Sequence, residues 1–255
     1  MASASIARAD ALAPVRVALR IAGLLLALIV ALVLHGTWRL FRLASPWPRL
    51  FLGAVGWIVG ARRRTIGTPR RRDVVFLANH QSWVDILVLA GASGTAFVAK
   101  DSLARVPLIG WLCTLNGTVF VARGERMGIA DQIASIREAL AQGWAIAIFP
   151  EGTTNDGTAL LPFKPALLAV LEPPPPGLVL QPVLIDYGAA TPDLVWGDET
   201  GQVNALRLLG RRGSFPATLT FLDSFDPGDT PGRKAIAAEA RARMDAAWSE
   251  RPTRV

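Results

Sequence analysis

The 255-residue chain is 51% hydrophobic and 18% charged, and its 27 Lys+Arg against 20 Asp+Glu give a formal net charge of +7. That composition excludes intrinsic disorder, and the length accommodates one core-bearing domain with an appendage. One Cys and two His exclude an internal disulfide framework and a zinc cluster.

The charge is unevenly placed. Residues 1–72 hold 12 Arg and one acidic residue, Asp10, for +11, whereas residues 73–255 sum to −4. Val17 to Leu34 contains a single charge, Arg20, and Ile21 to Leu34 is unbroken apolar sequence. Such a run stands at the short end of what crosses a hydrocarbon core of roughly 30 Å. Arg16 and Arg20 are placed to snorkel at one end, while Trp38, Arg39 and Arg42 form an interfacial flank at the other. No small-x-small cleavage pattern follows, which argues against a signal peptide. Pro46-Trp47-Pro48 breaks the helix, and Leu50–Ala61 is an apolar stretch of interfacial length. Arg62-Arg63-Arg64 and Arg70-Arg71-Arg72 make a basic collar for an anionic membrane surface. The distribution of arginines favours a main domain on the cytoplasmic side of the cell (inner) membrane.

Beyond Arg72 short apolar runs alternate with helical stretches. Strands are expected at Val74–Ala78, Thr95–Ala99, Thr118–Val121, Ala145–Phe149, Leu178–Ile185 and Ala217–Phe221. Helices are expected at Trp83–Ala90, Arg126–Gln142, Lys164–Leu171 and Pro231–Ser249. Pro173 to Pro176 is a surface connector. The reading is therefore α/β, a mixed sheet flanked by helices, preceded by an N-terminal hydrophobic helical membrane anchor. The anchor with its arginine collar spans residues 1–65 and the α/β domain residues 66–255.

Four segments carry chemistry. In Asn79-His80-Gln81-Ser82-Trp83-Val84-Asp85, His80 stands at the carboxyl end of a strand, where ligands of open α/β sheets sit. Asp85, one helical turn on, is within reach of one imidazole nitrogen, which leaves the other as a general base; a capping histidine with a solvated aspartate fits the same letters. Phe149-Pro150-Glu151-Gly152-Thr153 puts a charge and a glycine at another strand end, as a site or as an ordinary turn. Asn116–Arg123 delivers Arg123 to a third strand end, and Gln181–Ile185 is a hydrophobic strand with a proline. Cys113 lies in an apolar stretch and is expected in the core.

Together, in this order and behind a membrane segment, the four blocks resemble those of the glycerolipid acyltransferase family, in particular the lysophosphatidate acyltransferase group. Lys100 with Pro107-Leu108-Ile109-Gly110-Trp111 is similar to that family's Lys…Pro-x-x-Gly-Trp stretch. The resemblance covers residues 60–225. It implies transfer of an acyl chain from acyl-CoA or an acyl-carrier protein to the hydroxyl of a lysolipid, foremost lysophosphatidate, with no cofactor and no metal. His80 becomes the general base, oriented by Asp85, with backbone amides near the helix start holding the oxyanion. Lys100, Arg123, Glu151, Gly152, Thr153 and Lys164 become substrate-site or structural residues. Thr154 stands where many members have an arginine, and Glu151–Gly157, Leu161–Lys164 and Trp196-Gly197-Asp198 look like the lyso-ornithine lipid acyltransferase branch. The readings from other classes are a serine esterase, which lacks its Gly-x-Ser-x-Gly elbow, and a non-enzymatic membrane scaffold. Nucleic acid is not an expected partner, because the motif-bearing part is net acidic.

Overall fold

Val-Val-Phe-Leu-Ala, residues 74–78, is buried at every position, as a continuous apolar run must be when both faces of a parallel sheet are covered. It is the central strand of the computed structural model, which describes residues 10–121, 134, 136–140, 144–197 and 199–251. Among them the strands are β1 (Ala61–Ile66), β2 (Val74–Ala78), β3 (Ala96–Lys100), β4 (Val119–Val121), β5 (Ala145–Ile148), β6 (Val179–Asp186) and β7 (Phe215–Phe221). The helices are α1 (Ala13–Leu40), α2 (Trp47–Val59), α3 (Val84–Ser93), α4 (Asp101–Ala104), α5 (Ile109–Leu115), α6 (Thr191–Leu194), α7 (Gly201–Gly210) and α8 (Arg233–Ser249).

The strands form one sheet in the order β1-β7-β6-β2-β5-β3-β4. β2 pairs in parallel with β5 and with β6, and β3 and β4 continue that direction. β7 is antiparallel to β6, and β1 is parallel to β7, so the sheet is mixed as expected. On one face Phe76, Val183 and Phe215 pack against Val84 and Val88 of α3. On the other, Val75, Leu77 and Ile146 meet Ile136, Leu168, Ile236 and Met244. The chain thus leaves β2 toward one face and β5 toward the other. Diverging connections between neighbouring parallel strands open a crevice at their carboxyl ends.

Arg62–Arg64, part of the expected basic collar, lie within edge strand β1, whose side chains after Ala61 are all exposed. Charge along an edge strand discourages further pairing. The helix expected at Lys164–Leu171 is a 3-10 helix over Pro165–Leu171. The predicted helix Arg126–Gln142 falls mostly outside the described residues; 136–140 are helical, with Ile136 and Leu140 buried. Cys113 on α5 is half-buried rather than in the core.

α1 has 28 residues, about 42 Å of helix. Its first turns are docked: Arg16 Nε donates to the Gly210 carbonyl at 2.8 Å, and Arg20 donates to the carbonyls of Leu208, Leu209 and Gly213 at 2.9, 2.9 and 3.1 Å. The two arginines expected to snorkel therefore cap the carboxyl end of α7, whose last carbonyls lack intrahelical partners. At its other end Trp38 meets Trp47 edge-on at 5.8 Å. α2 then returns antiparallel to α3, where Arg49 donates to the carbonyls of Gly91 and Ala92. Both ends of α1 are held to the same body. Its outward face stays apolar and exposed, with Leu19 at 68% and Leu26 at 64%.

Candidate active site

β2 ends at Ala78, and the next residues are fixed by the neighbouring strand rather than by their own propensity. Asn79 pairs with Ile185 on β6 as a peptide would, donating Nδ2 to its carbonyl at 2.9 Å and accepting its N–H at Oδ1 at 2.7 Å. Gln81 Nε2 donates to the same carbonyl at 2.9 Å. His80 is left between two anchored neighbours at the lip of the crevice, with its side chain 19% exposed.

Asp85, in the first turn of α3, is completely buried. Its Oδ2 accepts His80 Nδ1 at 2.7 Å, the Gln81 N–H at 2.7 Å and the Ser82 N–H at 2.9 Å. Its Oδ1 accepts the Tyr187 hydroxyl at 2.6 Å. A carboxylate only accepts, so the imidazole proton sits on Nδ1 and the Nε2 lone pair is free to take a proton. The ring is stacked on Phe149, centroids 4.1 Å apart. Of the backbone amides near the helix start, those of Gln81 and Ser82 are committed to Asp85.

Glu151, at the end of β5, holds the same turn from the other side. Its Oε1 accepts the His80 N–H at 3.2 Å, and its Oε2 accepts Asn155 Nδ2 at 2.7 Å and the Leu161 N–H at 3.2 Å. Asn155 N–H donates to the His80 carbonyl at 2.8 Å. Burial pushes the Glu151 carboxyl above its ordinary range, while these hydrogen bonds oppose the shift. With both oxygens occupied inside the protein, Glu151 is a clamp on the His80 backbone.

Of the remaining predicted residues, Gly152, Thr153 and Lys164 gather at the turn after β5. Gly152 has φ +69°, and a Cβ there would lie 3.2 Å from Lys164 Nζ and 3.1 Å from Leu167 Cδ1. Gly152 thus lets the Lys164 ammonium fold over the turn, beside the exposed Thr153. Lys100 ends β3, two strand positions from β2 and so roughly 10 Å across the sheet. Arg123 lies outside the described residues. Tyr187, Asn155 and Phe149 were not singled out as site residues. For Tyr187 the available signal was an aromatic hydroxyl just past a buried strand, in a chain with one tyrosine.

A family model described as Acyltransferase matches residues 63–186. The lyso-ornithine lipid O-acyltransferase of Rhodobacter capsulatus is 31% identical over 252 residues, 92% of this chain and 91% of that protein. The chain belongs to the glycerolipid acyltransferase family. Among other relatives of this acyltransferase, the lyso-ornithine lipid O-acyltransferase of Rhizobium meliloti is 32% identical, covering 76% of this chain and 72% of that protein. The 1-acyl-sn-glycerol-3-phosphate acyltransferase of Neisseria gonorrhoeae is 37% identical over 94 residues, 37% of each chain. The fold is shared with the crystal structure of the 1-acyl-sn-glycerophosphate (LPA) acyltransferase PlsC from Thermotoga maritima, with a TM-score of 0.66 at 22% identity. That match covers 94% of this chain and 99% of the other. The acyltransferase acts on a lysolipid.

Proposed function

We propose that this acyltransferase esterifies the hydroxyl of lyso-ornithine lipid with an acyl group carried as a thioester on CoA or acyl-carrier protein. The observation that carries the chemistry is the buried Asp85 accepting His80 Nδ1 at 2.7 Å, which leaves the Nε2 lone pair available as the base. Nε2 takes the hydroxyl proton as the lipid oxygen attacks the thioester carbonyl. Collapse of the tetrahedral intermediate breaks the carbon–sulfur bond, and the proton passes to the departing thiolate. Neither an acyl-enzyme nor a metal is needed for this balance.

Two features favour the lyso-ornithine acceptor over the lysophosphatidate that the motifs alone put first. The Rhodobacter lyso-ornithine lipid acyltransferase matches 92% of the chain and the Rhizobium one 76%, whereas the Neisseria lysophosphatidate enzyme matches 37% of it. Thr154 also replaces an arginine suited to phosphate. Lysophosphatidate remains the second reading, supported by the Neisseria match and by the Lys164 ammonium at the crevice. The acceptor arrives through the membrane. The α1–α2 hairpin, tied to the domain at both ends, embeds in the leaflet nearest the domain, its exposed apolar residues serving as the immersed surface. The soluble thioester donor places the domain on the cytoplasmic face of the inner membrane.

The purified protein in mixed micelles, given each lysolipid in turn with each donor, is expected to acylate lyso-ornithine lipid and to lose turnover in His80→Ala. Acylation of lysophosphatidate alone would overturn the acceptor, and full turnover by folded His80→Ala would overturn the base.

A further inference from the structure

The oxygen of Asp85 that faces away from His80 is bonded to Tyr187, the chain's one tyrosine. Tyr187 follows the end of β6 and is completely buried. Its ring packs edge-on against Phe215 at 6.1 Å, so the phenol cannot swing without disturbing the core. The nearby Ile185 holds Asn79 and Gln81 on either side of His80. One short segment therefore touches three consecutive parts of the base's surroundings.

We propose that Tyr187 is a positioning residue for acyl transfer, its hydroxyl fixing the Asp85 carboxylate and drawing off part of the charge that Asp85 presents to His80. This rests on the reading of His80 as base. Three donors hold Asp85 Oδ2, and the Tyr187 hydroxyl is the donor on Oδ1, so its bond fixes the second oxygen and the plane of the carboxylate. The same donor competes with the imidazole for carboxylate charge. Among the described residues, Glu151 is bound to the His80 amide, and Asp186, next to Tyr187 in sequence, is paired with Arg251 at 3.1 Å. Burial and the adjacent Asp85 push the Tyr187 phenol well above its ordinary range, which keeps it a donor throughout the working pH range.

Tyr187→Phe keeps the ring and removes the bond. It is expected to lower kcat about 10-fold, the size of one lost hydrogen bond, with KM for both substrates unchanged. Asp85, its charge no longer shared with the phenol, holds the imidazolium more firmly, so the acid limb of the kcat/KM profile moves up by roughly half a pH unit. With one tyrosine in the chain, biosynthetic fluorotyrosine labels this position alone. Its more acidic phenol donates more strongly, so the limb moves down instead. That labelled protein decides the matter even where Tyr187→Phe does not fold. Opposite displacements, or the downward one alone from the labelled protein, support the proposal. An unmoved limb in the labelled protein, or wild-type kcat in folded Tyr187→Phe, overturns it. An inactive His80→Ala beside an unaltered Tyr187→Phe rejects only the role of Tyr187, whereas an active His80→Ala rejects the base itself.

Discussion

Glu151 and His80 are joined through the main chain: the Glu151 carboxylate accepts the His80 N–H at 3.2 Å, and Asn155, itself bound to Glu151, donates to the His80 carbonyl. The segment after β5 thereby sets the height of His80 at the end of β2. Glu151→Gln replaces one acceptor oxygen with an NH2 group that must face a donor. A buried donor left unmatched costs about 1–3 kcal/mol. The expected result is a lowered melting temperature with kcat reduced more than KM, read by thermal unfolding and steady-state kinetics. Wild-type values for both would show that the clamp is dispensable.

The hairpin is locked onto the domain by Arg20, whose guanidinium reaches three carbonyls around the end of α7. Arg20→Gln shortens that reach and frees the first turns of α1. Faster hydrogen exchange in residues 13–20 and weaker turnover on vesicles are expected, with the kinetics toward soluble thioester unchanged. Unaltered exchange would place the docking energy elsewhere along α1.

α2 crosses α3 where two glycines meet. A Cβ on Gly91 would stand 2.7 Å from Gly53 Cα and 2.7 Å from Arg63 Nη1, whereas one on Gly53 would stand 3.6 Å from Gly91 Cα. Gly91→Ala must push the helices apart and is expected to destabilise by about 1–3 kcal/mol, the usual range for overpacking. Gly53→Ala meets only ordinary van der Waals distances and is expected to be nearly neutral. Denaturant unfolding of the two variants measures the asymmetry directly.

Alkaline pH probes the buried phenol. Tyr187 is held neutral in the folded chain well above its ordinary value of 10.0. Unfolded, it ionises near that value, so above pH 10 the unfolded state binds fewer protons than the folded one. Its contribution to stability is thus intact below pH 10 and declines as pH rises toward the folded-state value. With one tyrosine, phenolate absorbance has a single source and is expected only together with unfolding. Reversible ionisation in the folded protein would contradict the burial of Tyr187.

Much of the β scaffold was legible because β2, β5 and β6 are apolar runs bounded by polar turns, and their local pattern coincides with their final environment. β1 was not legible. Three consecutive arginines read as a surface run, and only pairing with β7, more than 150 residues away, makes them a strand. α7 was likewise missed, although its interior holds good helix formers and its two glycines stand only at its ends. In the site, His80 and Asp85 were legible as neighbours in sequence. Glu151 was legible as a charge at a strand end, but not as a clamp.

The +11 of residues 1–72, with the apolar run among them, and the four ordered motifs are properties of the chain itself. Through their resemblance to the glycerolipid acyltransferases they pointed to an acyltransferase with a His–Asp pair, behind an apolar helix expected to be an anchor. What the arginines do was decided by the tertiary structure: Arg16, Arg20 and Arg49 end helices, because a guanidinium takes whichever acceptor the fold brings near, and Arg62–Arg64 join an edge strand through their backbone pairing with β7. Tyr187 shows the same division. Its letter lies 102 residues from Asp85, and hydrogen bonds over that separation follow from strand order, which no local pattern encodes.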